Sequence, residues 1–152
     1  MQNLTRRDFL GTAGTAGAAL TILPSFAYGA APSDRLRTAH IGVGGMGRSD
    51  LGSISGHPNV DIVALCDIDD TQLSPAAKRF PKAKTFNDFR VMFDELADQF
   101  DAVVVSTPDH THAPAAMTAL NHGKPVYCQK PLTHEVFEAR RLREVAEEKG
   151  LV

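Results

Sequence analysis

Four short apolar runs, separated by segments with helical spacing, set the pattern of the chain after about residue 36. The runs cover residues 37–43, 59–66, 101–105 and 125–128. The second run, with five apolar residues between positions 60 and 65, is too continuous for a strand with one face in water, and the runs predict strands buried on both faces. Because strands that alternate with helices form parallel sheets, the pattern predicts an α/β fold with a doubly wound parallel sheet.

The segments between the runs predict helices that cover this sheet. One helix is expected from about residue 111 to 123 and another from about 133 to 149; the first ends at a glycine and the second is followed by one. Residues 151–152 resemble the start of a further strand. One helix face repeats apolar residues every three or four positions, and we interpret it as core: Phe89, Met92, Phe93 and Leu96.

The N-terminal residues have the features of an export signal. Arg6 and Arg7 precede Phe-Leu and then a mild, uncharged stretch rich in Gly and Ala, which resembles a twin-arginine signal peptide. Small residues allow cleavage after Ala27 or after Gly29, and both sites stay open. The glycines in the stretch make it too weakly apolar for a stable membrane span.

This resemblance divides the chain into three parts. Residues 1–29 are expected to be the signal peptide, residues 30–35 a linker and residues 36–152 the folded domain. The resemblance implies a periplasmic or otherwise exported protein that is carried by the twin-arginine route.

Charge and cysteine content exclude several classes of protein. The 152 residues carry 16 Lys and Arg against 18 Asp and Glu, a net charge of −2, without the basic stripe that nucleic acids attract. With only Cys66 and Cys128, neither a disulfide scaffold nor a Cys-x-x-Cys zinc site can form. These cysteines end the second and fifth strands, which in the order 3-2-1-4-5 lie roughly 14 Å apart. They are expected to be unpaired, small buried hydrophobes.

A glycine-rich turn follows the first predicted strand. Residues 42–47 read Gly-Val-Gly-Gly-Met-Gly, and a helix is expected to begin there, which is typical of a dinucleotide-binding turn. The first glycine permits a tight turn, the second lets the backbone approach a pyrophosphate, and the last lets helix and strand pack closely. The predicted cofactor-binding residues of this turn are Gly42, Gly44, Gly45, Met46 and Gly47.

A carboxylate follows the second predicted strand. Asp67 lies 20 residues after Gly47, where an acidic side chain can accept hydrogen bonds from both hydroxyls of an adenosine ribose. The same charge would repel a ribose 2′-phosphate, and no Arg or Lys follows Asp67 until Lys78. We therefore expect a Rossmann-type domain that binds NAD, with NADP disfavoured.

Two further segments leave the predicted fourth and fifth strands at their carboxyl ends, where open α/β sheets bind ligands. Residues 105–112 read Val-Ser-Thr-Pro-Asp-His-Thr-His, and residues 128–132 read Cys-Gln-Lys-Pro-Leu. Together with the glycine turn and Asp67, these motifs resemble the glucose-fructose oxidoreductase, inositol dehydrogenase and rhizopine-catabolism family, written Gfo/Idh/MocA. The resemblance covers residues 36–152. It implies a nicotinamide cofactor domain, which in the family is followed by an α+β domain that is expected to be missing here.

The resemblance also implies roles for individual residues. Lys130 is the expected catalytic residue, close to the nicotinamide, where it would hydrogen bond to a substrate hydroxyl and help to move its proton. Gln129 stands where the family has Glu, so Lys130 is expected to have less counter-charge than in its relatives. The residues implied at the cofactor are Ser106, Thr107, Pro108, His112, Gln129, Lys130 and Pro131.

No metal site is expected from the histidines of the chain. Asp109, His110 and His112 are close in sequence, but two histidines without a third ligand are usually not a metal site. His134 lies near the start of the last predicted helix, where it could reach a substrate or simply be exposed to solvent. Both interpretations of His134 stay open.

Three functions are compatible with these features. The resemblance implies an exported NAD-dependent oxidoreductase whose partner is a small sugar, polyol or related hydroxyl compound, with a homo-oligomer as an option for a full-length protein. The alternatives are an NAD-dependent glycosidase of the same family, which returns the hydride to its substrate, and a truncated chain without activity. Because no substrate domain holds a ligand over the nicotinamide, the 152 residues alone are expected to show no turnover.

Overall fold

The computed structural model describes residues 35–152, which form a parallel sheet covered by helices. The predicted signal peptide, and the predicted linker up to residue 34, lie outside the described residues. The strands are β1 (Leu36–Ile41), β2 (Val60–Cys66), β3 (Lys84–Phe86), β4 (Ala102–Val105) and β5 (Val126–Cys128). The α-helices are α1 (Gly45–Ser55), α2 (Asp70–Arg79), α3 (Phe89–Leu96), α4 (His112–Asn121) and α5 (Val136–Lys149). Short 3-10 turns at Ala97–Gln99 and Asp109–Thr111 precede β4 and α4.

The strand order is β3-β2-β1-β4-β5, and every neighbouring pair is parallel. This order confirms the doubly wound α/β fold that the alternation of apolar runs predicts. Ile41 at the end of β1 is in register with Cys66 of β2 on one side and with Val105 of β4 on the other. The carboxyl ends of these strands therefore meet at one edge, at the switch point where open α/β sheets bind ligands.

Alternating side chains of the strands build a core on each face of the sheet. On one face, Ile41 packs in a cluster with Phe93 of α3 and Ala119 of α4. On the other face, Leu65 of β2 packs with Leu51 of α1. The last helix, α5, lies on α4 through a third cluster: Ala116, Leu120, Leu142 and Val145.

The helices differ in three details from the sequence-based expectation. α5 begins at Val136, later than predicted, because Glu135 and Glu138 form a reciprocal capping box. α4 begins at His112, since the preceding residues form a 3-10 turn. In the predicted core stripe, Met92, Phe93 and Leu96 are buried, whereas the fourth member, Phe89, starts α3 and also lines a cavity.

The strands are shorter and less uniformly buried than the apolar runs predict. β1 ends at Ile41, because Gly42 adopts a φ of +83° that turns the chain away from the sheet. The first four residues of β2 are only half-buried. β5 is an edge strand, so Tyr127 is exposed there. Val152 is not in a strand, although its carbonyl oxygen accepts a hydrogen bond from the Val126 N–H at 2.8 Å, as the oxygen of a neighbouring strand would.

The two cysteines are free, in agreement with their predicted separation. Cys66 is buried as expected, but Cys128 is only half-buried because it lies on the edge strand. Burial raises the pKa of the Cys66 thiol to about 12 and that of Cys128 to about 11. Both are therefore protonated thiols at neutral pH and poor nucleophiles.

The start of the described region is tied to the sheet. Arg35, the last residue of the predicted linker, forms an ion pair with Asp61 of β2 at 2.7 Å and donates to the carbonyl oxygens of Pro58 and Val60. Arg35 therefore belongs structurally to the domain. Between residues 35 and 152, the helices are too short or too polar to cross a membrane.

A buried histidine lies in the centre of β1. His40 is 1% exposed, and its Nε2 atom lies 3.1 Å from Oγ1 of Thr38. Burial disfavours the charged ring and lowers the pKa of His40 to about 4, although the carboxylate of Asp50 opposes this shift. His40 is therefore neutral at pH 7.

The low pKa of His40 predicts that the domain loses stability as the pH falls. The unfolded chain binds a proton at His40 near pH 6.5, whereas the folded chain binds it only near pH 4. The contribution of the neutral ring is fully present above the unfolded value and is lost as the pH falls towards the folded value, with a total of about 3 kcal/mol. Chemical denaturation of the chain at a series of pH values measures this loss.

His40→Leu should flatten that pH dependence, because the variant has no ring to protonate. His57→Gln, at an exposed position, is the matched control and should keep the dependence of the unmutated chain. An unchanged slope in His40→Leu would show that another group causes the acid sensitivity.

Candidate functional site

A cavity of about 620 Å³ opens at the carboxyl ends of β1, β2 and β4. Its wall includes the glycine turn after β1, the acidic turn 67–69 after β2 and the turn 106–108 after β4. Residues 87–90, at the start of α3, also line it. The sheet thus brings together segments that are far apart in the sequence, at the edge where α/β sheets bind ligands.

The glycine turn holds the end of β1 against the start of α1. A side chain at Gly47 would place its Cβ atom 2.1 Å from the carbonyl oxygen of Gly42. A side chain at Gly42 would place its Cβ atom 2.6 Å from the carbonyl oxygen of Ser106. No side chain fits either gap unless the backbone moves, so both positions require glycine whatever the cavity binds.

The backbone of Gly44 lies against the side chain of Gln72. The motif assigns Gly44 to the approach of a pyrophosphate, but a Cβ atom there would lie 2.7 Å from Cγ of Gln72 on α2. The Gln72 side chain accepts a hydrogen bond from Nη2 of Arg48 at 2.8 Å and lines the cavity. Gln72 is therefore a site residue that the sequence motif does not include.

The first turn of α1 directs backbone donors at the cavity. The helix begins at Gly45 without a capping side chain and without an acidic residue in its first turn. The first N–H groups of a helix have no acceptor within it, and the helix dipole adds partial positive charge there. Gly44, Gly45 and Met46 line the cavity at this point. The arrangement suits the phosphates of a nucleotide.

Asp67 lines the same cavity and already accepts two backbone hydrogen bonds. Its Oδ2 atom accepts from the Val43 N–H at 2.9 Å, and its Oδ1 atom accepts from the Asp69 N–H at 3.0 Å. These bonds fix the orientation of the carboxylate. Each oxygen has further capacity to accept, so both can still bind the hydroxyl groups of a ligand.

The cavity wall includes a cation that was not predicted from the sequence. Arg90 at the start of α3 pairs with Asp88 through two parallel contacts, Nε to Oδ1 and Nη2 to Oδ2, each 2.9 Å long. The hydrogen bond from Arg90 holds the pKa of the Asp88 carboxyl below its usual range. The positive charge of Arg90 is therefore already matched by a carboxylate in the same wall.

The turn after β4 carries a buried hydroxyl that lacks a partner. Oγ1 of Thr107 is enclosed, and no hydrogen-bonding group among residues 35–152 reaches it. Thr107 lines the cavity between Ser106 and Pro108. An unsatisfied buried hydroxyl is costly, so a polar partner for Oγ1 would stabilise this turn of the cavity wall.

His112 lies behind this turn, outside the cavity wall. It is 1% exposed, and its Nε2 atom lies 2.7 Å from the carbonyl oxygen of Thr107. Its Nδ1 atom lies 2.8 Å from the carbonyl oxygen of Pro131. His112 therefore ties the turn after β4 to the segment after β5, and it acts on the cavity through Thr107.

The segment after β5 lies beside the cavity wall. The Gln129 N–H donates to the carbonyl oxygen of Val105 at 2.9 Å, and the Gln129 side chain contacts Asp50 of α1, a residue outside the predicted site. Lys130 is exposed, and its ammonium group makes no hydrogen bond or ion pair with any other described residue. The peptide bond from Lys130 to Pro131 is cis.

His134 contacts a carboxylate near the cavity. Its Nδ1 atom lies 3.4 Å from Oδ2 of Asp109, and this hydrogen bond lowers the pKa of the Asp109 carboxyl. The side chain of His134 is 57% exposed, so it is a surface group in contact with an acid. In the described part of the chain, no three His, Cys, Asp or Glu side chains are grouped to hold a metal ion.

The chain matches a family model over the whole predicted domain. The model, GFO_IDH_MocA, is described as "Oxidoreductase family, NAD-binding Rossmann fold" and covers residues 36–152. The chain belongs to the Gfo/Idh/MocA oxidoreductase family. Residues 36–152 are thus the NAD-binding Rossmann domain of this family, in agreement with the resemblance drawn from the motifs.

The chain spans only about a third of the length of the curated relatives that it matches. The inositol 2-dehydrogenase of Rubrobacter xylanophilus is 35% identical over 120 residues, which cover 78% of this chain and 33% of the relative. A glycosyl hydrolase family 109 protein of Shewanella baltica is 28% identical over 173 residues, covering 97% of this chain and 38% of the relative.

Solved structures of similar proteins contain either nicotinamide cofactor. GenD2 from gentamicin A biosynthesis, solved in complex with NAD, has a TM-score of 0.72 at 31% identity over 82% of this chain and 35% of its own. A 3-ketoreductase from Actinomadura kijaniata, solved with TDP-benzene and NADP, has a TM-score of 0.69 at 27% identity over 78% of this chain and 37% of its own. The preference for one cofactor must therefore come from individual site residues.

Gly47→Ala should destabilise the domain, because the new methyl group would meet the backbone of Gly42. Overpacking of this kind costs about 1–3 kcal/mol, which denaturant unfolding of the chain would measure. Gly52→Ala in the same helix is the matched control: the nearest atom to its Cβ, at 3.5 Å, is the end of Arg79. At that position Gly→Ala should raise the free energy of unfolding by about 0.5–1 kcal/mol. Equal stabilities of the two variants would contradict the close packing at Gly47.

Proposed function

We propose that residues 36–152 bind NAD as the cofactor domain of an enzyme that oxidises a hydroxyl group of a sugar, a polyol or a related compound. The observation that carries this proposal is the cavity in which the glycine turn, Asp67 and the unpartnered Thr107 hydroxyl meet. The start of α1 suits the pyrophosphate, the Asp67 carboxylate suits the ribose hydroxyls, and Thr107 needs a polar partner. The similarity to an inositol 2-dehydrogenase supports a substrate that is rich in hydroxyl groups.

The charges of the cavity wall support NAD over NADP. Asp67, Asp69 and Asp88 all line the cavity, and a 2′-phosphate would bring further negative charge to this wall. Arg90 is the cation that could oppose this repulsion, but it already forms its bidentate pair with Asp88. A bound 2′-phosphate would have to compete with that carboxylate for Arg90.

In this proposal Lys130 handles the proton of the substrate hydroxyl. When bound, NAD supplies a nicotinamide ring that accepts a hydride from the substrate carbon. The amine of Lys130 has no partner among the described residues, so it is available to hydrogen bond to the hydroxyl and to help move its proton. Gln129 and His112 hold the backbone on either side of this residue.

A redox-neutral glycosidase is the second candidate. It is supported by the match to a glycosyl hydrolase family 109 protein, which is 28% identical over 97% of this chain. A full-length protein would distinguish the two: a glycosidase releases a sugar without net formation of NADH, whereas a dehydrogenase forms one NADH for each substrate oxidised.

We also propose that the chain is exported by the twin-arginine route. The support is the Arg6-Arg7 pair followed by an uncharged stretch rich in Gly and Ala. Because this route carries folded proteins, the cofactor would be bound before export.

The cofactor preference can be tested by calorimetric titration of the chain. We expect NAD to bind at least about tenfold more tightly than NADP, which corresponds to about 1.4 kcal/mol. Asp67→Asn should narrow the difference, because it removes the charge and keeps an oxygen that can accept a hydrogen bond. Asp94→Asn removes the same charge from an exposed position on α3, and should leave the preference unchanged. Equal affinities for both cofactors in the unmutated chain would refute this assignment.

The export proposal predicts a mislocalised precursor. Replacing both arginines, Arg6→Lys with Arg7→Lys, should leave the protein in the cytoplasm with residues 1–29 uncleaved, because the receptor reads the arginine pair. Cell fractionation with an antibody against the domain measures the distribution. Arg35→Lys, which keeps the pair, should be exported normally. Undiminished periplasmic protein after the double replacement would exclude this route.

A further inference from the structure

A hydrogen-bonded cluster beside the cavity joins α1 to the segment after β5. Its centre is the carboxylate of Asp50, which accepts from Oγ of Ser106 at 2.7 Å. Nε2 of Gln129 contacts both oxygens of the same carboxylate, at 3.1 and 3.2 Å. Oε1 of Gln129 accepts from the backbone N–H of Lys130 at 2.7 Å. The cluster therefore ends at the main chain of the residue that is proposed to handle the proton.

The two ends of the Gln129 amide face partners with opposite requirements. The ionised carboxylate of Asp50 only accepts hydrogen bonds, so it must face the NH₂ group, and the N–H of Lys130 only donates, so it must face the amide oxygen. A glutamine satisfies both partners at once. A glutamate would serve Lys130 equally well, but its second oxygen would lie at hydrogen-bond distance from Asp50, where two carboxylates repel each other.

We propose that Asp50 and Gln129 form a matched pair that positions Lys130, so that an acid on α1 requires an amide at position 129. The pair holds the peptide plane between Gln129 and Lys130, and thereby sets the direction in which the Lys130 side chain leaves the backbone. Asp50 and Gln129 are positioning residues, since neither lines the cavity. The inference rests on the function proposed for Lys130.

Within residues 35–152, the side chains that hydrogen bond to the pair supply no fixed positive charge that would neutralise a second carboxylate. His40 of β1 interacts with Asp50, but burial keeps its ring neutral at pH 7. Ser106, after β4, contributes an uncharged hydroxyl. Lys130 is adjacent in the sequence, and the described contact with the pair is made by its backbone N–H. A carboxylate at position 129 would therefore have to share a proton with Asp50 or repel it.

A double-mutant cycle tests the pair through the folded-to-unfolded ratio of the chain. Gln129→Glu should lower this ratio about tenfold or more near pH 8, relative to the unmutated chain at the same pH, and the loss should shrink near pH 5, where the two acids share a proton. Asp50→Asn should lower the folded-to-unfolded ratio less than Gln129→Glu does, because an amide at position 50 can accept from Gln129 and donate to Ser106.

The combined variant, Asp50→Asn with Gln129→Glu, again places an amide against a carboxylate, with the two groups exchanged. It should recover most of the loss caused by Gln129→Glu and remove its pH dependence. Gln99→Glu, at an exposed position before β4, controls for the added charge and should change the ratio little. Additive losses in the combined variant, or a loss in Gln129→Glu that is independent of pH, would overturn the pair.

A second measurement reports on Lys130 itself. The fluorescence of bound NADH depends on the surroundings of its dihydronicotinamide ring, and Lys130→Met defines the change that follows from loss of the amine. Gln129→Glu near pH 8 should shift the emission in the same direction, and the combined variant should restore it. Emission that changes in Lys130→Met but not in Gln129→Glu would overturn the positioning role, as would emission that is unchanged in both.

The two proposals fail in different ways. If the unmutated chain does not bind NADH, the proposed function is wrong and the positioning role falls with it, while the stability cycle still decides whether Asp50 and Gln129 form the pair. If NADH binds but the combined variant restores neither stability nor emission, the proposed function stands and the inference on Asp50 and Gln129 is wrong.

Discussion

The contact between the start of α1 and the end of β1 is the constraint on which the rest of the site depends. The backbone at Gly47 lies so close to the carbonyl oxygen of Gly42 that no Cβ atom fits between them. With the helix held at this distance, its first turn faces the cavity and Leu51, one turn later, packs on the sheet. The same placement brings Asp50 to Ser106 at the end of β4. Phosphate-binding geometry, core packing and the polar cluster thus follow from one close approach.

Most of the architecture could be predicted because its signals are local. The strands β2 and β4 have neighbours on both sides and read largely as apolar runs, and the glycine turn stands between a strand and a helix. The third strand is different. Lys84–Phe86 is a three-residue strand at one edge of the sheet, with two exposed residues, and it carries no apolar run. Its position could only be inferred from the strand order.

The residues that were missed share a physical reason. Asp50, Gln72 and Arg90 reach the site from helices whose placement depends on packing against the sheet. Asp50 contacts Ser106 across 56 positions of the sequence and Gln129 across 79. Spacing along the chain carries no information about such pairs. Gln129 itself was visible in the sequence, but its partner Asp50 was not, because the packing of α1 brings that carboxylate to it.

The backbone around Lys130 is held by contacts on both sides, whereas the side chain of Lys130 is exposed. On one side, Oε1 of Gln129 accepts from the Lys130 N–H, and on the other, His112 contacts the carbonyl oxygen of Pro131. Both contacts are made to the backbone, so they orient the chain without using the ammonium group. A long side chain loses much rotamer freedom when it binds a ligand, and a fixed backbone limits the directions that it has to sample. Half-buried and buried polar groups therefore fix the backbone at Lys130, whereas the charged end of its side chain lies in solvent.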